Sequence, residues 1–178
     1  MARGEVSVAM DLEIDIEDWP DPESGGVEWE ALAARAVSAA QSVEPALANP
    51  RLSLSLLFTS DAQVHELNLQ WRGRDKPTNV LSFPMLGADE LHDLSPDGPP
   101  EMLGDIALAH ETCAREAAEK AVPLDHHAAH LIVHGLLHLA GHDHVTSEED
   151  ADRMEALEIT ALAKIGIADP YGDRDEQE

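Results

Sequence analysis

Three histidines stand at the spacing H-x3-H-x5-H in His134-Gly-Leu-Leu-His138-Leu-Ala-Gly-His-Asp-His144, inside an otherwise apolar stretch. Imidazoles in that pattern read as a metal site. On a helix, His134 and His138 lie one above the other on the same face. Both rings can then reach one cation at about 2.0–2.1 Å, the usual zinc–nitrogen distance. The third ligand must come from chain that has left the helix. Gly141 supplies the exit, because glycine tolerates the positive φ at which helices commonly end, and the next turn can carry His144 back. Three protein ligands leave a fourth position for water, which is the catalytic rather than the structural zinc pattern. One Zn²⁺ per chain is expected, held by His134, His138 and His144.

The same spacing resembles that of the metzincin proteases, with one departure. Their glutamate after the first histidine is the general base of peptide hydrolysis, and Gly135 occupies that slot here. His126 and His130 continue the line of i, i+4 positions below His134 and read as packing or surface residues. Asp143 can orient a ligand imidazole through its second ring nitrogen or stabilise the turn beside the glycine. Cys113, the only cysteine, reads as a small hydrophobe on a helix, since nothing nearby would lower its pKa.

The elements that must position these groups belong to a chain of 178 residues with 43% hydrophobic content, enough for one ordinary core. A single catalytic domain over residues 1–168 is expected, followed by an acidic, disordered tail over 169–178. One cysteine permits no intrachain disulfide and suits a reducing cytoplasm. No apolar run approaches the roughly 18 residues that would span a bilayer, so a soluble protein without a membrane partner is expected. Eleven basic against 36 acidic residues give a net charge of −25, an unpromising balance for general nucleic-acid binding. The distribution matters more than the total. Residues 51–85 carry four basic and three acidic groups, against two and eleven before them and five and 22 after them. Three of the four cations, Arg72, Arg74 and Lys76, fall within five residues. Such a local basic loop can hold one phosphate segment while the surrounding field discourages indiscriminate binding.

Val6, Val8, Met10, Leu12, Ile14 and Ile16 alternate as a half-buried strand. Residues 27–44 repeat Trp29, Leu32, Ala33, Ala36, Val37 and Ala40 at helical spacing, closed by Pro45. Residues 52–58 alternate again, and Ser60-Asp-Ala-Gln63 opens a helix to about Leu69 with Val64 and Leu67 or Asn68 inward. Strands follow at 80–83 and 102–109, separated by a Gly/Pro/Asp-rich stretch, 87–100, that reads as exposed decoration. Helices are predicted at 110–121, 124–140 and from Ser147 to about Ile165, the last with Met154, Leu157, Thr160 or Ala161 and Lys164 marking its faces. The fold class is α/β (mixed α+β): one small mixed sheet of about four strands and about five helices, with the metal site on a buried helix and its following turn.

Two blocks, Glu66 to Pro84 with Trp71-Arg-Gly-Arg-Asp-Lys-Pro-Thr-Asn-Val80 at its centre, and His130 to His144, resemble the signature segments of the YbeY family. Leu103-Gly-Asp-Ile106 between them resembles that family's linking strand. The likeness covers roughly residues 50–165. It implies a single-strand-acting, metal-dependent endoribonuclease of rRNA maturation, at the three-prime end of small-subunit rRNA, with a part in ribosome quality control. It also implies zinc on His134, His138 and His144, a functional arginine at Arg72, and as partners an rRNA precursor, the small subunit and assembly proteins, without DNA. His142 departs from the family's usual tyrosine and becomes a possible competing ligand or outer-shell group, with His144 expected to win.

The chemistry is consistent with that likeness. Zinc lowers the pKa of bound water or polarises a phosphoryl oxygen, and Arg72 offers a planar fork of donors for the charge that develops on phosphate. Arg74 and Lys76 are candidate backbone contacts, and Thr78 and Asn79 are phosphate contacts or turn residues in equal measure. Two alternatives remain open at this point: a metal-dependent hydrolase of another substrate such as a peptide, and a non-catalytic, zinc-stabilised ribosome-assembly factor.

Overall fold

Leu52, Leu54, Leu56 and Phe58 sit at every second position, so a strand turns all four toward one face, and each is 1% exposed or less. That strand is the organising element of a computed structural model that describes residues 10–20, 28–76, 78–142 and 147–171. Four strands form one sheet: β1 (Asp11–Ile16), β2 (Leu52–Thr59), β3 (Val80–Pro84) and β4 (Glu101–Ala109). Their spatial order is β1-β2-β4-β3, with β1, β2 and β4 parallel and β3 antiparallel to β4. The mixed sheet is the one anticipated. Residues 1–9 lie outside the described residues, so the strand expected from Val6 is seen from Asp11 onward.

The helices are α1 (Trp29–Val43), α2 (Asp61–Arg72), α3 (Ala88–His92), α4 (His110–Lys120), α5 (Leu124–Leu139) and α6 (Glu148–Lys164). Behind the β2 face, α1 packs on both α5 and α6. Most of α5 is buried, including Ile132, Val133, Leu136 and Leu137 at 0% exposure. At about 1.5–3 kcal/mol for each large apolar side chain removed from water, this helix is an anchor of the core. The opposite face of the sheet carries a smaller cluster of Val64, Leu81, Ala107 and Ala109 beneath α2. Ser60 caps α2 by accepting from the Gln63 amide at 3.2 Å, and Ser147 caps α6 through the Asp150 amide at 3.0 Å.

One expectation is corrected. The 87–100 stretch is exposed along most of its length as expected, but it is not mere decoration: it contains α3, whose Leu91 is 2% exposed within the main core. Asn49 Nδ2 donates to the Leu94 carbonyl at 3.0 Å and Arg51 Nε to that of Pro99 at 2.9 Å, so side chains before β2 tie the stretch down. A five-residue helix with one apolar anchor has too little periodicity to stand out from its glycines and prolines. Leu91→Ala should therefore cost about 2–5 kcal/mol, the usual range for emptying a buried leucine site. A urea titration reads this directly, and a change below about 0.5 kcal/mol, typical of surface sites, would return the segment to decoration.

At the end of the chain the described residues continue to Tyr171, whose hydroxyl donates to Glu158 on α6. Residues 172–178 lie outside the described residues.

Candidate functional site

The basic loop is shaped by α2. That helix runs to Arg72, one turn beyond the predicted Leu69, and Gly73 ends it in the left-handed region at φ 69°. Asn68, 2% exposed, rather than Leu67, takes the inner position. Its carbonyl accepts from the Arg74 amide at 3.2 Å, and its Nδ2 donates to the Lys76 carbonyl at 2.9 Å. With this brace, Arg72 and Arg74 line a cavity of about 810 Å³. Lys76 is not among its lining residues. Thr78 and Asn79 are, and Asn79 is pinned by Nδ2 donating to Glu116 Oε1 of α4 at 2.9 Å.

The far wall of the cavity is α5. His127, His130, His134 and His138 line it, and these are the positions where a buried helix turns polar. His134 is 22% exposed at its side chain, and its ring lies 6.4 Å, centroid to centroid, from that of His138. The fold thus brings the first two predicted ligands and the first two predicted basic residues to one space.

Gly135, between the two predicted ligands, is buried, and a Cβ there would sit 3.0 Å from Ile106 Cδ1 on β4. Any side chain at this slot would press on Ile106, which would have to shift by a few tenths of an ångström, and the sequence itself places no carboxylate here.

Beyond Ala140 the chain leaves the helix as anticipated, with Gly141 at φ 105°. A Cβ at Gly141 would also lie 2.9 Å from Ala88 Cβ at the start of α3. His142, the possible competing ligand, turns elsewhere: its Nε2 lies 2.7 Å from Glu44 Oε1, in a second cleft that also holds His92 and Arg153. Asp143 and His144 lie outside the described residues. Among the described residues no group of three or more His, Cys, Asp or Glu side chains is arranged to hold a metal ion.

The electrostatics come from residues that periodicity did not single out. Glu158 is 1% exposed on the inner face of α6, with Met154, Ala161 and Leu162. The predicted set held Met154 and Thr160 or Ala161, but also Leu157 and Lys164, which are half-buried and exposed, and it passed over Glu158. Glu158 Oε2 lies 2.7 Å from His134 Nδ1, and Oε1 lies 2.9 Å from His130 Nε2. Burial pushes this carboxyl up, but the hydrogen bonds from His130 and His134 outweigh it and bring it down to about 2. The sequence signal was an acid interrupting an apolar stripe. Tyr171, the lone tyrosine of the chain, carried no signal at all.

Chemically, this donor set fits zinc. Two imidazoles share one face of a rigid helix, and the second nitrogen of one is held by a carboxylate, the usual companion of a metal-bound histidine. Cys113 takes no part: it is fully buried, and burial together with Glu116 and Asp61 pushes its thiol up, away from reactivity.

His127 Nε2 lies 2.8 Å from Glu116 Oε1. Burial holds His127 below its ordinary 6.5 despite that carboxylate, which pulls the other way. An unfolded chain therefore takes up this proton before the folded one does. Stability attributable to His127 is whole above 6.5 and is lost as pH falls from there toward the lower folded value. The urea midpoint should drop between pH ~7.5 and ~5.5, and drop less in His127→Gln. Equal drops in both proteins would remove His127 from the acid side of the stability profile.

A family model described as Endoribonuclease YbeY matches residues 20–166. Among curated relatives, the Endoribonuclease YbeY of Erythrobacter litoralis is 68% identical over 165 residues, 93% of this chain and 99% of its own length. That of Novosphingobium aromaticivorans is 54% identical over 92% of this chain and 97% of its own length. The solution structure of a Thermotoga maritima protein superposes with a TM-score of 0.54 at 21% identity, over 93% of each chain, and shares the fold. With the family model spanning both signature blocks and the strand between them, the chain belongs to the YbeY family.

Proposed function

We propose that this protein is a zinc-dependent endoribonuclease that cuts single-stranded rRNA precursor, at the three-prime end of small-subunit rRNA, and serves ribosome quality control beside the small subunit and its assembly proteins in the cytoplasm. One observation carries this: Arg72 and Arg74 line the same cavity as His134 and His138, although the two pairs lie far apart in sequence. The relatives' name, endoribonuclease, supports the same chemistry.

His134 and His138 would hold the metal with His144. Zinc, when bound, supplies Lewis acidity toward a phosphoryl oxygen or activates water. Arg72 binds the scissile phosphate through its fork of N–H donors, and the hydrogen bonds strengthen as charge builds on the non-bridging oxygens. Arg74, on the same loop, holds a neighbouring phosphate and sets the register of the strand. Asn68 and Gly73 keep both cations at the rim. The net charge of −25 confines phosphate contact to this basic strip, so RNA is held where it is cut and little elsewhere.

Removal of the metal tests the proposal. Purified protein should carry about one zinc per chain and cut a labelled single-stranded rRNA-precursor fragment. Chelation followed by dialysis should abolish cutting, and zinc should restore it. Cutting that persists in metal-free protein, or that never returns with any divalent ion, would refute a metal-dependent nuclease and favour a zinc-stiffened assembly factor.

A further inference from the structure

A carboxylate at 1% exposure in the middle of an apolar helix face is expensive to keep, because a buried charge is tolerated only when its lone pairs are taken up by donors. Glu158 meets that condition through three groups from two directions. His134 Nδ1 stands at 2.7 Å from Oε2, and His130 Nε2 at 2.9 Å from Oε1. The Tyr171 hydroxyl donates to the same Oε1. His130 and Tyr171 are not near the two basic loop cations in sequence or in the expected site, yet both line the cavity.

The consequence follows from hydrogen-bond inventory. An ionised carboxylate only accepts, so the ring nitrogen facing Oε2 must donate. A neutral imidazole has one N–H, and with the proton on Nδ1 the lone pair of His134 falls on Nε2. That lone pair is what His134 would offer to a bound zinc ion. Without the carboxylate, an imidazole in water divides between two tautomers and turns about its side-chain bonds, and both freedoms must be lost on binding a cation.

We propose that Glu158 is a positioning residue of the metal centre, which fixes His134 in its Nδ1–H tautomer and is itself clamped by His130 and Tyr171, so that the chain beyond α6 is part of the site. The inference rests on the zinc function proposed above. It assigns Tyr171 a role that neither signature block contains.

The test uses full-length, metal-free protein and Zn²⁺ alone, titrated against a chromophoric chelator, together with imidazole ¹⁵N shifts. Glu158→Gln and Glu158→Ala should loosen zinc by about 10–100-fold, as removal of such a partner usually does, and Tyr171→Phe should loosen it less. In the wild type, His134 should display a protonated Nδ1 and an unprotonated Nε2, a pattern that both Glu158 variants lose. Zinc affinity within twofold of wild type in folded Glu158→Gln would overturn the proposal while leaving the zinc site intact. Glu158→Gln keeps the side chain's shape and so decides the matter if Glu158→Ala fails to fold. A protonated Nε2 on His134 in the wild type overturns the proposal without any variant. Zinc bound equally by wild type and His134→Ala would instead remove the zinc function itself, and the inference with it.

Discussion

His134→Ala should lose stoichiometric zinc and reduce RNA cleavage to background. If a structural zinc site is worth about 10–16 kcal/mol over four ligands, each ligand contributes roughly 3–4 kcal/mol, or about 10²–10³-fold in affinity. His134 should exceed that share, because it is the ligand tied to Glu158. Its removal also leaves a buried carboxylate with one partner fewer, and an uncompensated buried charge can cost about 3–5 kcal/mol of stability. Lost activity in this variant therefore needs a companion.

His138→Ala supplies it. His138 is exposed at the end of α5, so its truncation should leave stability within about 0.5 kcal/mol while zinc affinity falls by about 10²-fold or more. Metal analysis after gel filtration, a denaturant titration and the cleavage assay separate the two effects. If both variants retain zinc at wild-type affinity, the ligands lie elsewhere, and the cavity between α2 and α5 is not a metal centre.

Arg72→Glu should do the opposite: keep zinc within about twofold and lose about 10²–10³-fold in cleavage rate, the scale on which a transition-state hydrogen-bond donor acts. Arg72 is the last residue of α2, exposed, and lines the cavity that holds the histidines. It carries no part of the core, so the fold should not register the change. Arg72→Lys should recover only part of the rate, since an ammonium lacks the planar fork. Arg74→Ala should weaken RNA binding with a reduced salt slope. Lys76→Ala should do less than either, because Lys76 is not among the cavity's lining residues and contributes its carbonyl to Asn68. Single-turnover cleavage with saturating RNA isolates the Arg72 effect from binding. An unchanged rate there would reassign Arg72 to RNA affinity, and a loss of zinc would mean that the arginine supports the metal site.

The boundaries of α1, β2, β4 and α5 were legible within a few residues, because each carries a long apolar repeat of period two or 3.6. The basic loop and its glycine stop were legible for the same local reason. Three features were not. α3 has one buried side chain and no room for a repeat. Glu158 has the composition of a surface residue and earns its burial only from histidines on another helix. His142 stands at ligand spacing from His138, yet pairs with Glu44, a residue 98 positions away whose approach no local pattern encodes.

The apolar repeats of the long strands and helices, the histidine spacing on α5 and the exit at Gly141 were determined by the sequence alone, since each depends on residues within a few positions of one another: side-chain periodicity, helix stops and i, i+4 geometry are local. Only the tertiary structure decided which groups share the cavity. It put Arg72 and His134 in the lining of one cavity, turned His142 away, packed Gly135 against Ile106, and enclosed Glu158 with His130, His134 and Tyr171. Those outcomes depend on how α2, α5 and α6 pack around the sheet, and packing brings together side chains whose separation along the chain carries no information about their distance in space.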